Sequence, residues 1–240
     1  MFLVLPNNPT GAYLGERDFA DLCTYCKLNG KLLVLDLSFR FFSKELSAFD
    51  QYSVLQESGV EFITIEDTGK TWPTLDMKVG FVLSSPGVAE RLRQITDDFL
   101  LNVSPFVLVL LTQFACDEPG PGQLSEAAQV ARKNRLALKR TLEGLPVQIV
   151  EPACDISVAW LRLPAGWSGN KLVEQVEKTG VSILPGEPFY WHAPVRGREF
   201  VRVALLRPAD YFNRGSERLR QILVAYRPNP NLVGDSSYAN

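Results

Sequence analysis

The sequence has little histidine and cysteine and no excess of either charge. Its 240 residues include one histidine, His192, and four cysteines, at positions 23, 26, 116 and 154. Zinc sites and disulfide frameworks need clusters of these residues at regular spacings. The formal net charge is −2, and no long run of one sign occurs. These features argue against a metalloprotein, a disulfide scaffold, and a nucleic-acid or membrane-surface binder.

One pair of cysteines does form a C-x-x-C motif, Cys23 with Cys26. Such a motif can hold a metal or act as a redox pair. No second pair follows it, and it lies in the helix-like stretch 16–28. We therefore interpret it as two thiols on one helix face, with no metal expected.

Long apolar runs are also scarce. The longest, residues 106–111 within 103–115, is too short to span a bilayer and predicts a buried helix. Residues 1–5 lack a basic leader before Pro6, so no secretory signal is predicted. The hydrophobic fraction of 46% and the charged fraction of 22% are typical of globular proteins. The expected location is the cytoplasm.

The first half of the chain alternates strands and helices. The apolar runs 2–5, 32–37, 62–65 and 79–84 predict strands, with turn residues expected at 66–69. Helices are predicted at 16–28, 51–59, 86–95 and 105–116. This alternation predicts an α/β domain with a mainly parallel sheet.

The second half has a different pattern. After a proline- and glycine-rich hinge at 117–122 and an amphipathic run at 124–145, strands are predicted at 147–150, 156–161, 181–184 and 200–204. Helices are predicted at 170–179 and 209–226. We expect part of a large α/β domain in residues 1–117, a smaller α+β domain with its linking helix in 118–228, and a loose tail in 229–240.

Three polar features follow predicted strands: the Asn8-Pro9 pair, a candidate cis peptide, Asp36 and Lys70. Ligands of parallel sheets bind beyond the carboxyl ends of the strands. A lysine amine condenses with an aldehyde, a carboxylate can hold a proton on a ring nitrogen, and an amide can contact a phenolic oxygen. Pyridoxal phosphate needs this set. The alternative for Lys70 is an ordinary solvated turn lysine.

The segment Asn7-Asn8-Pro9-Thr10-Gly11 resembles the N-P-T-G signature of class I/II aminotransferases, which are fold type I pyridoxal phosphate enzymes. The order of other motifs is similar to that family. Asp36 follows a hydrophobic strand, Lys70 precedes a G-x-R-x-G-like segment, Pro185-Gly186 follows a strand, and Phe200-Val201-Arg202-Val203 lies near the end. The resemblance covers nearly the whole chain and implies the family's large domain, in part, followed by its small domain.

The resemblance also implies a role for each matching residue. Lys70 would bind the cofactor aldehyde covalently and later shuttle a proton, and Asp36 would pair with the pyridine nitrogen. Asn8, held by Pro9, would contact the 3-oxygen of the ring and lie beside the substrate. Arg202 would bind the substrate α-carboxylate with its bidentate fork. Without the resemblance, Arg202 would be interpreted as a strand arginine in a surface ion pair.

Several positions depart from the family pattern. Phe39 replaces a tyrosine near the cofactor oxygen, and Lys78 replaces a phosphate-binding arginine, which keeps the charge but loses the fork. Asp76 replaces a glycine, and Asp67 replaces a phosphate-binding serine. Thr68 is then the candidate hydroxyl donor, unless the loop is shifted in register. Cofactor binding is still expected, while these changes would suit a specialised branch in amino-acid or secondary-metabolite biosynthesis.

The implied reaction is amino transfer from an L-amino acid to a 2-oxo acid. Alternatives are another pyridoxal phosphate reaction on the same scaffold, such as that of a lyase, decarboxylase, mutase or oxidase, and a catalytically silent subunit. The chain resembles family members only from their middle onward. The segment that precedes the N-P-T-G signature in those proteins has no counterpart in it. A fragment, a split enzyme and a degenerate relative are all compatible with this difference. The implied partners are small amino and oxo acids and either a second copy in a homodimer or a chain that supplies the missing half.

Overall fold

A computed structural model describes residues 1–42, 48–71, 77–100, 102–117 and 126–226. These residues form two compact units. Unit 1 contains the described residues of Met1–Gln129 together with Ala153–Ile156. Unit 2 contains Val130–Pro152 and the described residues from Ser157 onward.

Unit 1 is built on a four-stranded sheet. Its strands are β1 (Phe2–Val4), β2 (Leu33–Asp36), β3 (Phe62–Asp67) and β4 (Gly80–Ser84), adjacent in that order. The β1–β2 and β2–β3 pairs are parallel, and the β3–β4 pair is antiparallel. The prediction of an α/β fold with a mainly parallel sheet is confirmed.

Two helices make the crossovers between the parallel strands. Helix α1 (Glu16–Leu28) buries Phe19, Cys23 and Cys26. Helix α2 (Gln51–Ser58) begins where the Asp50 carboxylate accepts from Tyr52 N, and ends at Gly59, whose φ of 65° is left-handed. The apolar faces of both helices pack with the parallel strands into the core of unit 1, which includes Leu5, Leu33, Leu35, Leu37, Leu55 and Val60.

Strand β3 is longer than its apolar pattern predicts, and the predicted turn at residues 66–69 is wrong. Glu66 and Asp67 continue the strand, because their backbones pair with Phe81 and Gly80 of β4. The chain then forms a single helical turn, α3 (Thr68–Thr71). The polar residues Glu66 and Asp67 can continue the strand because β4 provides hydrogen-bond partners for their backbone N–H and C=O groups.

Two helices follow β4. Helix α4 (Pro86–Phe99) starts at its proline, as expected, and continues four residues past the predicted end at 95. Helix α5 (Pro105–Asp117) was predicted to be buried, and this is wrong for most of its apolar face. Leu111 is buried, but Phe106 and Val109 are 72% and 71% exposed.

Unit 2 has an antiparallel sheet with strands β5 (Gln148–Val150), β6 (Val158–Arg162), β7 (Leu184–Pro185) and β8 (Phe200–Ala204), in the order β5-β6-β8-β7. Its helices are α6 (Glu126–Thr141), which begins in unit 1, α7 (Gly169–Glu177) and α8 (Ala209–Ala225). The α+β prediction is confirmed. Strand β7 is only two residues long, since residues 181–183 form no ladder with β8.

The domain boundary between residues 117 and 118 stays a prediction. Residues 118–122 of the hinge, the tail at 229–240 and Asp76 lie outside the described residues. In the part of the chain that is described, none of the helices has both the length and the apolar character needed to cross a membrane.

Candidate active site

Three candidate residues lie at or just beyond the carboxyl ends of three adjacent strands: Asp36 is the last residue of β2, and Asn8 and Lys70 come a few residues after β1 and β3. The register places Val4 beside Asp36 and Asp36 beside Ile65. The ladder continues one residue further, because Leu5 N donates to Asp36 O at 2.8 Å. The sheet therefore brings the three segments to one edge, as the sequence predicted. Their roles in binding stay predictions.

Lys70 lies on α3, directly after β3, with its side chain 40% exposed. Its Nζ donates to Asp67 Oδ2 at 3.1 Å. The other carboxylate oxygen, Asp67 Oδ1, accepts from the backbone N–H of Gly69 at 2.8 Å. One carboxylate thus holds both the amine and the backbone of this turn.

Lys78 crosses the same turn. A Cβ built on Gly69 would lie 3.0 Å from Lys78 Cβ and 3.2 Å from Asp67 Oδ1. The glycine therefore allows the lysine stem to lie against the backbone between Thr68 and Lys70. The Lys78 residue itself is exposed.

Thr68 fixes the start of this turn. It is 4% exposed, and its Oγ1 accepts from the backbone N–H of Val79 at 2.8 Å. Thr68 N also donates to Val79 O at 3.1 Å. Its hydroxyl proton can still be donated, because the contact with Val79 N uses the oxygen as acceptor. Thr68 is thus compatible with the predicted phosphate contact.

Asp36 is oriented by its neighbour Ser38. Asp36 Oδ1 accepts from both the backbone N–H of Ser38, at 3.0 Å, and its hydroxyl, at 2.5 Å. These bonds fix one oxygen of a half-buried carboxylate at the end of β2. Nothing in the sequence reasoning identified Ser38, although a serine two residues after an aspartate is the spacing of an Asx-type turn.

Asn7 organises the loop that carries Asn8 and Pro9. Its Oδ1 accepts from Thr10 Oγ1 at 2.7 Å, and its backbone exchanges hydrogen bonds with Gly11 and Ala12. Gly11 has a φ of 69°, where glycine is favoured. The Asn8-Pro9 bond is cis, as the sequence suggested. The polar groups of Asn7 thus build the loop that carries Asn8, and the role of Asn8 in binding stays a prediction.

Phe39 is 4% exposed and packs edge-on against Phe42, with ring centroids 5.8 Å apart. Its ring therefore belongs to the interior of this loop. A contact between Phe39 and a cofactor stays a prediction.

A second polar network surrounds Glu66 of β3, and the sequence analysis did not identify it. Glu66 accepts from the Tyr52 hydroxyl with Oε1 and from Arg40 Nε with Oε2, the latter at 3.1 Å. Burial, and secondly the bond to Glu66, raise the pKa of Tyr52 to about 12. The Arg40 guanidinium also lies over the rings of Phe41 and Tyr52. The network ties α2 to the strand that delivers Lys70.

Arg202 lies in unit 2, on β8, with Trp160 and Leu184 as its partners in the ladder. Its guanidinium lies 5.2 Å from the centre of the Phe189 ring. Burial lowers the pKa of Arg202 from its ordinary value. The Phe200 and Trp160 rings stack at 5.1 Å on the same side of the sheet. This aromatic, desolvated setting would strengthen a bond to a carboxylate.

The described residues suit a phosphorylated aldehyde such as pyridoxal phosphate. Lys70 supplies an amine, Asp36 a fixed carboxylate, and Lys78, Thr68 and the Gly69 N–H a set of donors for phosphate oxygens. Asp67 is the opposing feature, because its carboxylate occupies the Gly69 N–H. The donors fit the group if Asp67 turns away from this N–H. No cluster that could hold a metal occurs among the described residues.

Comparisons with known proteins identify the family. The model of the family "Aminotransferase class I and II" matches residues 1–214, so the chain belongs to this family. It is 27% identical over 229 residues to the LL-diaminopimelate aminotransferase of Desulforudis audaxviator, covering 93% of this chain and 55% of that protein. It is 26% identical over 231 residues to the L-glutamine–4-(methylsulfanyl)-2-oxobutanoate aminotransferase of Bacillus subtilis, covering 92% of this chain and 54% of that protein.

A solved structure is similar as well. The structure of MppP soaked with the product 2-ketoarginine has a TM-score of 0.82 and 35% identity, covering 92% of this chain and 62% of MppP. The likeness supports the family assignment at the level of the fold. The chain spans about half the length of the curated relatives it matches.

Proposed function

We propose that this chain carries the lysine-bearing part of a pyridoxal phosphate-dependent enzyme that transfers an amino group from an L-amino acid to a 2-oxo acid. The observation that carries the proposal is the meeting of Asn8, Asp36 and Lys70 at one edge of the parallel sheet, in a member of the aminotransferase family. When bound, pyridoxal phosphate supplies an electron sink for the bond-breaking step at the amino acid.

Two side chains would hold or transfer protons during the reaction. Lys70 would hold the cofactor aldehyde covalently and, once released by the incoming amino acid, move the proton taken from the substrate α-carbon. Its amine must first leave Asp67 Oδ2, 3.1 Å away. Asp36, held by Ser38, would keep the ring nitrogen protonated through its second oxygen.

Other side chains would position the cofactor and the substrate. Asn8 would donate its amide to the ring oxygen, and Thr68 with Lys78 would hold the phosphate. Arg202 would bind the α-carboxylate of the amino acid, since a desolvated guanidinium forms strong charge-assisted bonds. Each assignment rests on position in the fold and on the chemistry of the side chain.

The similarity to MppP makes arginine the first substrate to test. MppP was solved after soaking with the product 2-ketoarginine, and it is 35% identical with 92% of this chain covered. The two curated aminotransferases named above are 27% and 26% identical. A second candidate function, oxidation on the same cofactor, is favoured by the unusual Asp67, Phe39 and Lys78. Product analysis separates the two functions. Both yield a 2-oxo acid, but transamination leaves the amino group on pyridoxamine phosphate, whereas oxidation by dioxygen and water also yields ammonia and hydrogen peroxide.

The working enzyme is proposed to include more protein than this chain. Strand β4 and helices α4 and α5 expose large apolar side chains, and such surface usually marks an interface. Two partners could bury this apolar surface. One is a second copy of the chain in a homodimer, and the other is a protein segment that completes the sheet of unit 1. A cytoplasmic location and a role in biosynthesis complete the proposal.

The test is covalent labelling. The purified chain is mixed with pyridoxal phosphate, reduced with borohydride, and digested for mass spectrometry. Lys70 is expected to carry the label, and Lys70→Ala to lose it. Lys133→Ala, which removes an exposed lysine of α6, is the matched control and should label as the parent does. Labelling spread equally over surface lysines would contradict the proposal.

A further inference from the structure

A cavity of about 360 Å³ lies in unit 2, between the first half of α8 and the segment that leads into β7. Its floor is apolar and includes Ile183, Val203, Phe212 and Leu219, all of them buried. It shares no lining residue with the set Asn8, Asp36, Lys70 and Arg202. Its size lies within the range of small-molecule sites.

The rim of this cavity is cationic. Arg214 and Arg218 lie one turn apart on α8, and Tyr211 precedes them on the same helix face. Arg207, just before the helix, adds a third guanidinium. Among the described residues that line the cavity there is no aspartate or glutamate. The three arginines therefore line one cavity.

Each arginine has a modest existing partner. Arg214 Nη1 bonds the exposed Asp210 at 3.1 Å, Arg218 Nη1 bonds Thr179 O at 3.0 Å, and Arg207 Nη1 bonds Leu206 O at 2.7 Å. A guanidinium has five N–H donors, so each bond leaves donors for an anion. An exposed ion pair such as that with Asp210 contributes little and is readily exchanged.

We propose that this cavity is a binding site for an organic phosphate monoester, separate from the proposed reaction. The arginine forks match phosphate oxygens bidentately, and the apolar floor with Tyr211 accepts the body of the molecule. A cationic rim together with an apolar floor favours an organic ester over inorganic phosphate. Inorganic phosphate would contact the arginines of the rim but would leave the apolar floor unfilled. The body is either a heterocyclic nucleoside or a sugar, and both sources share the phosphate chemistry.

The glycine in the middle of this helix face provides a sharp probe. A Cβ added at Gly215 meets no heavy atom within 4 Å, so the helix tolerates a side chain there. Gly215→Glu places a carboxylate among the arginines, and Gly215→Ala adds only a methyl group. The two variants therefore separate the effect of charge from the effect of helix stability.

The experiment is calorimetric titration of the full chain with adenosine monophosphate, ribose 5-phosphate, adenosine and inorganic phosphate. We expect at least one of the two esters to bind at least tenfold more tightly than inorganic phosphate and adenosine. Preference for the nucleotide identifies a heterocyclic ligand, and equal binding of the two esters identifies a sugar phosphate. Arg214→Gln and Gly215→Glu should each weaken ester binding about tenfold or more, the loss expected for a charge-assisted bond.

Three variants serve as controls. Gly215→Ala and Arg132→Gln, the latter an exposed arginine of α6 outside the cavity, should leave ester binding unchanged. Lys78→Gln should also leave it unchanged, which separates this site from the proposed cofactor phosphate contacts in unit 1. Thermal melting confirms that each variant is folded. Esters that bind no better than inorganic phosphate, or equal binding by Gly215→Glu and Gly215→Ala, would overturn the proposal.

Discussion

The two sheets of this protein differ in how completely their own unit covers them. In unit 2, the strand β6 buries Val158, Ala159, Trp160 and Leu161 in succession. In unit 1, four of the five residues of β4 are exposed. The antiparallel sheet of unit 2 thus packs against its own core, whereas the edge strand β4 of the unit 1 sheet is largely exposed.

The helices repeat this contrast. Helix α7 of unit 2 buries Leu172, Val173 and Val176. Helix α4 of unit 1 is amphipathic, yet it buries none of its residues, and Phe99 at its end is 86% exposed. A helix with an apolar stripe gains its stability from packing that stripe. Unit 2 therefore packs the apolar face of its helix α7, whereas the apolar stripe of α4 is not buried among the described residues.

The largest expected effect concerns the association of the chain. Phe99→Glu together with Phe106→Glu removes two strongly exposed phenyl rings from unit 1. We expect the parent chain to associate in sedimentation experiments and the double variant to be mostly monomeric, because charge opposes the burial of this surface. Tyr211→Glu, at a 56% exposed aromatic of unit 2, is the control and should leave association unchanged. A monomeric parent chain would break the comparison.

A matched pair of leucines tests the two cores. Leu172→Ala, at a fully buried position of α7, should lower the free energy of unfolding by about 2–5 kcal/mol. Leu83→Ala, at a 43% exposed position of β4, should cost only about 0.5 kcal/mol in the isolated chain. Urea unfolding followed by fluorescence and circular dichroism measures both. Equal losses would show that β4 is packed as well as α7 is.

A pair of glycines tests how tightly the loops beside Arg202 are packed. A Cβ on Gly186 would lie 2.7 Å from Phe200 Cβ and would collide with Gly197 O. Gly186→Ala should therefore cost about 1–3 kcal/mol and weaken any carboxylate binding at Arg202, since Phe200 must shift. Gly215→Ala, in open space on α8, should instead stabilise unit 2 by about 0.5–1 kcal/mol. Melting temperatures that move in the same direction for both variants would contradict this reading of the packing.

The last expected effect is a pH dependence in unit 1, which is confined to alkaline pH. The folded chain raises the pKa of Tyr52 from about 10 to about 12, through burial first and the Glu66 bond second. The neutral phenol is thus favoured by folding, and its contribution is complete below pH 10 and lost as the pH rises through 12. The parent should lose more stability than Tyr52→Phe between these pH values. Tyr25→Phe, at a 52% exposed tyrosine, should behave as the parent does.

Much of the fold followed from local patterns. The bounds of α1 and β8 agree with the sequence prediction, because a helical stripe and an alternating strand are properties of short segments. The strand ends that carry Asn8, Asp36 and Lys70 also followed from the sequence, since adjacent parallel strands end at one edge. The extension of β3 through Glu66 and Asp67 did not, because it depends on pairing with β4.

The sequence by itself determined the alternation of strands and helices, the family to which the chain belongs, and the position of Lys70 after a strand. Only the tertiary structure decided that Asp67 bridges Lys70 and Gly69, that Glu66 joins Tyr52 to Arg40, and that α4 stays exposed. Hydrophobic periodicity is a property of neighbouring residues, so it can be read along the chain. Contacts between distant side chains, and the absence of a covering surface, depend on which elements the fold places together.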